Sequence, residues 1–477
     1  MEKKPSKSMR NQDMTTGSIM KKMLIFAVPV LFSSVFSQLY NMVDTIVVGQ
    51  YVSAHALGAV GSCGSIMMIF YALMMGLNVG AGVLVSQYFG AKQYKELNKV
   101  VITLIMVATC ITLVMVALGL PLSGALLRLL NTPDELMKDA ATYLRISFIG
   151  LLGQFYFYVG SFVLRGLGDS KYPAYMVVLS SVINIILDLL FVVAFHWDVA
   201  GVAWATSIAQ AISAVVVLIR LSRYEHLDFS RGNWKIDTTK IKPLLSIGLP
   251  TALQQVSMSL GNLVIQFFAN GFGADVVSAM TVVNKVDQFA MMPINSLSQT
   301  LTTFVGQNIG AGKEDRVKEG VRKMTITILI LSVILAVLIA IFGKSLMRVF
   351  IAANQQSNIN VISLGVICLE IMVFSYWGTA LQQTYSGLLR GAGDAMVPAI
   401  IMIGSVALRI PGTYLVAVRR NDYRGIFYCM VGAAILGGIV LLLYYRSGAW
   451  KKRNAVKIDR SAAASEAAAA PEAEEEN

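Results

Sequence analysis

The sequence predicts an all-α polytopic membrane protein, with 12 transmembrane helices arranged as two parallel six-helix repeats. Three observations carry this. Only 14% of the 477 residues are charged and 56% are hydrophobic, whereas a soluble globular chain carries about a quarter charged residues. Apolar runs long enough to cross a bilayer recur along the whole chain. The ten residues Leu164 to Pro173, LRGLGDSKYP, return as LRGAGDAMVP at Leu389 to Pro398, 225 residues later (389 − 164). Gln87, Gly90 and Ala91 likewise recur as Gln307, Gly310 and Ala311, and Pro29 recurs as Pro250. Duplicated halves are how many secondary transporters build a central pathway.

The runs fall at roughly 24–48, 57–85, 100–120, 140–163, 172–195, 199–220, 243–270, 276–305, 321–342, 360–388, 397–418 and 425–445. Each holds about 20 to 30 residues, enough to span with some tilt. They are too long and too uniformly apolar for barrel strands. The segment before them, residues 1–22, is polar and basic. The first run exceeds a signal-peptide core and is expected to stay as the first span. The expected organisation is a cytoplasmic segment 1–22, an N-lobe 23–220, a basic cytoplasmic linker 221–242, a C-lobe 243–446 and a tail 447–477. The tail is Ala-rich, then acidic, with nothing to fold around.

Charge placement orients the chain. With the N-terminus inside, inner segments hold 29 Lys and Arg and outer loops hold 7. Both termini are therefore expected in the cytoplasm of a cell whose inner (plasma) membrane the protein crosses. Six spans per half is an even number, so the repeats enter from the same side and are parallel. The net charge of +12 is loop charge of this kind and does not imply a nucleic-acid partner. Cys63, Cys110, Cys368 and Cys429 lie inside apolar runs and read as small core residues. His55, His196 and His226 are far apart, with no metal-ligand spacing. There is no phosphate-binding G-x-x-x-x-G-K-[ST] loop, no enzyme-like constellation and no cofactor motif. Any pumping must draw on an ion gradient.

The repeated loops, Arg165, Gly168 and Asp169 with their copies Arg390, Gly393 and Asp394, fall at turns after the fourth and tenth spans. Glycine permits tight turning, and Arg and Asp are suited to bracing neighbouring loops, so their reading is structural. Ionisable residues inside spans are functional candidates. Asp44 lies near the outer end of span 1. Asp188 lies in the outer half of span 5, with Asn184 one helical turn before it on the same face. Thr206 lies at matching depth in span 6, roughly 10 Å in. Tyr40 shares the face of Asp44. Two carboxylates in a low dielectric repel each other, so one is suited to take up and release a proton. With an amide and a hydroxyl they also suit a small hard cation. At the repeat offsets Asp44 maps to Ile265, Asn184 to Arg409 and Asp188 to Thr413. The ion site is thus expected in the first half only. Asp287 in span 8, two residues after Lys285, is the candidate in the second half.

VDTIVVG in span 1, SQYFGAK after span 2, both LRGxGD loops, NIILD with GVAWAT, and VGQNIGAG after span 8 together resemble the multidrug and toxic compound extrusion (MATE) family over about residues 20–445. The resemblance implies two lobes forming a V-shaped central cleft and alternating access. It also implies efflux of amphipathic, often cationic small molecules in exchange for H⁺ or Na⁺, by a monomer among membrane lipids. In one branch of that family the ion site comprises the positions of Asp44, Asn184, Asp188 and Thr206, with Tyr40 near the cargo. Another branch uses a glutamate eight residues after the span 7 proline. Here that position is Met258. Asp287 is a second residue expected near cargo. The rival reading is a flippase or exporter of a lipid-linked or polyanionic metabolite, which needs several cationic groups in the cavity. The span interiors supply mainly Lys285 and Arg409.

Overall fold

The computed structural model describes residues 13–52, 54–130, 132–351 and 356–452. Among them the regular elements are all helical. The first half contains α1 (Ile19–Val47), α2 (Ala54–Gly90), α3 (Tyr94–Leu129), α4 (Asp134–Gly166), α5 (Lys171–Asp188) and α6 (Asp198–Ser222). The second contains α7 (Thr238–Asn270), α8 (Ala274–Gly310), α9 (Glu314–Phe350), α10 (Gln356–Met372), α11 (Ser375–Ala392), α12 (Met396–Thr413) and α13 (Arg424–Arg446). The expected disordered tail lies outside the described residues from position 453 onward, as do residues 1–12 of the N-terminal segment.

Nine of the described helices are long and apolar enough to cross a membrane, and α10 with α11 adds a tenth span. The other two, α7 and α8, have 33 and 37 residues, about 50 Å or more of helix. They are less apolar because Gln255, Asn262, Asn284 and Gln288 interrupt them, each exposed. Polar side chains exposed at this depth require water rather than lipid. The most extensive packing between the halves runs along α2 and α7, with α8 against both α1 and α2. These central helices therefore form the contact between the two lobes.

Span 10 differs from the uninterrupted run expected at 360–388. It breaks between Met372 and Ser375 and bends by 50°. The Ser375 hydroxyl donates to the Met372 carbonyl at 2.7 Å, so a side chain takes an acceptor from the helix ladder. Beyond the break, Gly378 lets α11 approach the backbone of Ala434 on α13 more closely than a side chain would permit.

Each lobe has its own apolar core, and the leading part of α1 and α7 belongs to the opposite one. Met23 and Phe26 pack with Leu297, Phe304 and Leu388 of the second lobe. Leu244 and Ile247, 221 residues later (244 − 23; 247 − 26), pack with Leu77, Leu84 and Val163 of the first. The preceding segments follow suit. Met14 and Gly17 bond to Arg316 on α9, while Asp237 bonds to Thr103 on α3. The linker is folded against the first lobe, with His226 stacked on Tyr94 at 3.8 Å between ring centroids. Of the cysteines expected in the core, Cys63 and Cys368 are buried and Cys429 is half-buried, but Cys110 is exposed. Apolar runs contain lipid-facing positions as well as core ones.

The face carrying the N-terminal segment is closed. The ends of α2 and α8 meet there, with Gly90 against the Gln307 carbonyl and Gly310 against the Gln87 carbonyl, too close for a Cβ. Gln87 Nε2 donates to the Gly391 carbonyl at 2.9 Å. Gln307 Nε2 donates to the Gly166 carbonyl at 3.1 Å. These two bonds cross between the lobes as a twofold-related pair and hold this face shut.

Candidate functional site

One helical turn separates Tyr40 from Asp44 on α1, and another separates Asn184 from Asp188 on α5. The side chains of each pair therefore leave one helix face. α5 packs between α1 and α6, which brings Thr206 of α6 to the same place. Tyr40 Oη and Thr206 Oγ1 are 3.2 Å apart. Asn184 Nδ2 donates to Thr206 Oγ1, also at 3.2 Å. Asp188 is fully buried and Asn184 is 2% exposed, while Asp44, Tyr40 and Thr206 are half-buried. All five candidates from the first half thus form one cluster.

The Asp44 and Asp188 carboxyl groups lie close enough to hydrogen-bond. Ionised carboxylates are acceptors only, and no donor among the described residues reaches either Asp188 oxygen, Asp44 Oδ1 or Asn184 Oδ1. The facing oxygens therefore meet acceptors and no donor among the described residues. Two bare charges this close, buried together, cost several kcal/mol. The arrangement sets acceptor oxygens of two carboxylates together without a donor. A cavity of about 80 Å³ lies beside it, lined by Ser37, Tyr40, Ser181, Asn184, Thr206 and Gln210. It reaches the amide and hydroxyls but not the carboxylates, which lie behind them.

Both carboxylates stand at the edge of irregular helix. Asp44 precedes the π-helical turn Val48–Val52, and Asp188 immediately precedes Leu189–Ala194. π-turns free backbone groups and are frequent at functional sites. The repeat of Asp188, Thr413, precedes a third such turn, Tyr414–Val418, so the backbone irregularity persists where the acid does not. Tyr143 and Tyr71 also stand within electrostatic reach of this cluster. The sequence reading missed both. Tyr143 shares its helix with Tyr156 and Tyr158, Tyr71 is the lone tyrosine of the run at 57–85, and no local pattern marks either.

Asp287 is not part of this cluster. Its carboxyl lies near the buried Tyr376 hydroxyl at the break of span 10. Lys285, two residues before it, places Nζ over the Phe350 ring, 5.8 Å from the centroid. Arg409 donates to Asn262 Oδ1 at 3.0 Å and so ties α12 to α7 where the first lobe has Asn184.

The repeated loops are helix caps. Gly168 and Gly393 have φ of +91° and +95°, a conformation open to glycine at little cost. Asp169 accepts from the amides of Lys171 and Tyr172, each at 3.1 Å. Asp394 accepts from the Tyr444 hydroxyl at 2.8 Å. Arg165 does not brace a neighbouring loop. It crosses to the other lobe, where NH1 donates to Gln299 Oε1 at 3.1 Å. The Arg390 guanidinium Nε has no partner among the described residues.

A duplicated bundle of membrane-length helices, its two halves joined at one face by a twofold-related pair of cross-lobe bonds, has the architecture of a membrane carrier. The MatE family pattern matches residues 29–190 and 250–415, one copy in each half, and this chain belongs to that family, which comprises membrane transporters rather than enzymes. It is 30% identical to the probable multidrug resistance protein YpnP of Bacillus subtilis (strain 168) over 448 residues, 93% of this chain and 98% of the relative. It is 26% identical to the probable multidrug resistance protein NorM of Thermotoga maritima, across 93% of this chain and 95% of that one. A solved multidrug resistance MATE family transporter of the MOP superfamily, in an outward-facing conformation, superposes with a TM-score of 0.87 at 21% identity. It covers 94% of this chain and 100% of that one.

Proposed function

We propose that this protein is a secondary active multidrug exporter that exchanges amphipathic, often cationic compounds for H⁺ or Na⁺ by alternating access. Asp44, Asn184, Asp188 and Thr206 hold the coupling ion. Tyr40 and Asp287 contact cargo in the cleft. The chain works as a monomer in the plasma membrane with both termini in the cytoplasm, so the closed face is the inner one. The observation that carries this reading is the buried carboxylate pair with its unpartnered oxygens. A pair that needs one positive charge binds it with different affinity in the two conformations if lobe movement changes the spacing of α1 and α5. Without such a difference an ion drives nothing. The names of the relatives support the cargo class.

The experiment is efflux of a cationic dye from proteoliposomes under separately imposed pH and Na⁺ gradients, for the parent, Asp44→Asn and Asp188→Asn. Each variant should lose gradient-driven efflux by at least about tenfold, since each removes one of the two facing carboxylates. Parent rates in both variants would falsify the coupling role. The gradient that drives the parent identifies the ion.

A further inference from the structure

Residues Asp13 to Gly17 are bonded to the second lobe at the closed face. Met14 is 2% exposed and sits in the second lobe's core beside Ile309 and Val317. Its amide donates to Gln307 Oε1 at 2.9 Å. Its carbonyl accepts from Asn308 Nδ2 at 3.3 Å and from Arg316 NH2 at 3.2 Å. Arg316 NH2 also donates to the carbonyls of Thr16 at 3.0 Å and Gly17 at 2.8 Å. Lys313 Nζ donates to the Thr15 carbonyl at 2.9 Å. At the other end Asp13 stands within electrostatic reach of Tyr94 in the first lobe. The Gln307 amide is the junction. One end accepts from Met14, and the other donates to Gly166 across the lobes.

We propose that Asp13 to Gly17 and Gln307 form a latch that holds this face shut, with Gln307 as its positioning residue. The latch rests on the alternating-access reading above and adds a regulatory element to it. The segment fixes the Gln307 side chain in the rotamer that reaches Gly166. With the segment bound, the Gln307 amide accepts from Met14 within the second lobe and donates to Gly166 across the seam, so opening the lobes leaves the Gly166 carbonyl and Gln307 Nε2 unpaired while the Met14 bond persists. With the segment released, Gln307 is free to turn to water and the cross-lobe bond weakens. The latch thereby sets the ratio of the two conformations and so the rate at which the inner face opens.

The test uses the full chain in nanodiscs, with Cys110 replaced by serine and spin labels at Lys95→Cys and Asp315→Cys, exposed positions on the two sides of the seam. Met14→Glu removes the buried anchor, and Arg316→Ala removes the carbonyl contacts while keeping Met14. Each should raise the ratio of long to short interlobe distances by about tenfold, the effect of losing one or two net hydrogen bonds. Glu319→Ala on the same helix should not change it. A second pair, Lys95→Cys with Arg223→Cys inside the first lobe, should keep its distance and so report an intact fold. Interlobe distances unchanged or shortened in both variants would overturn the latch. The measurement needs neither cargo nor ion, so failure of the efflux reading leaves its result unaffected.

Discussion

Gly90→Ala is the sharpest perturbation of the closed face. The added Cβ falls on the Gln307 carbonyl, and no flexible side chain is available to move aside. Forcing one extra carbon into a packed contact costs about 1–3 kcal/mol. The contact exists only when α2 and α8 meet, so the cost falls on the closed state. The open-to-closed ratio should therefore rise by about 5- to 150-fold. Ser86 is fully buried beneath this contact, which makes Ser86→Cys a reporter in a background with Cys110 replaced. Its alkylation by a membrane-impermeant maleimide applied to the inner face should accelerate by the same factor. Gly310→Ala should behave alike, because its Cβ meets the Gln87 carbonyl in the same way. Gly404→Ala has open space around its Cβ and should leave the rate unchanged. Parent alkylation rates in both Gly90→Ala and Gly310→Ala would refute the reasoning.

Other outcomes follow from the same geometry. Thr206→Val removes the hydroxyl that joins Tyr40 and Asn184 and should weaken ion activation of efflux by about tenfold while the protein stays folded, read as a shift in the half-saturating ion concentration. Tyr376→Phe should alter the apparent KM for cationic dyes with little change in ion dependence, since Tyr376 neighbours Asp287 and not the carboxylate pair. An unchanged KM there removes Asp287 from the cargo path. Burial holds the His226 imidazole below its usual value, with Glu225 opposing. The folded state then binds fewer protons than the unfolded one, so this contribution is complete above about pH 6.5 and shrinks as the pH falls. Thermal stability should decline on acidification, and His226→Phe should reduce the slope.

Helical periodicity made part of the site legible. Tyr40 with Asp44, and Asn184 with Asp188, are four residues apart, and that spacing alone puts each pair on one face. Hydropathy marked the spans even where α7 and α8 are least apolar, because the duplication supplied their partners. The break in span 10 was hidden, since no Pro or Gly marks Val373 and Phe374 and the serine that follows makes a bond also found inside unbroken helices. The roles of Gln87 and Gln307 were hidden as well. Both stood out as repeated residues, but their acceptors, Gly391 and Gly166, lie in the opposite half of the chain.

The amino-acid order by itself carries the apolar runs, the duplication, the uneven placement of Lys and Arg along the chain and the lack of counterparts to Asp44 and Asp188 in the second half. These are properties of composition and of spacing within one helix, and the bilayer enforces them locally. Only the tertiary structure decided that α1 and α5 lie side by side, that α1 and α7 exchange lobes, and that Met14 reaches Gln307 across 293 positions. Such contacts depend on how helix surfaces fit together, and a chain's local periodicity carries no record of which face meets which neighbour.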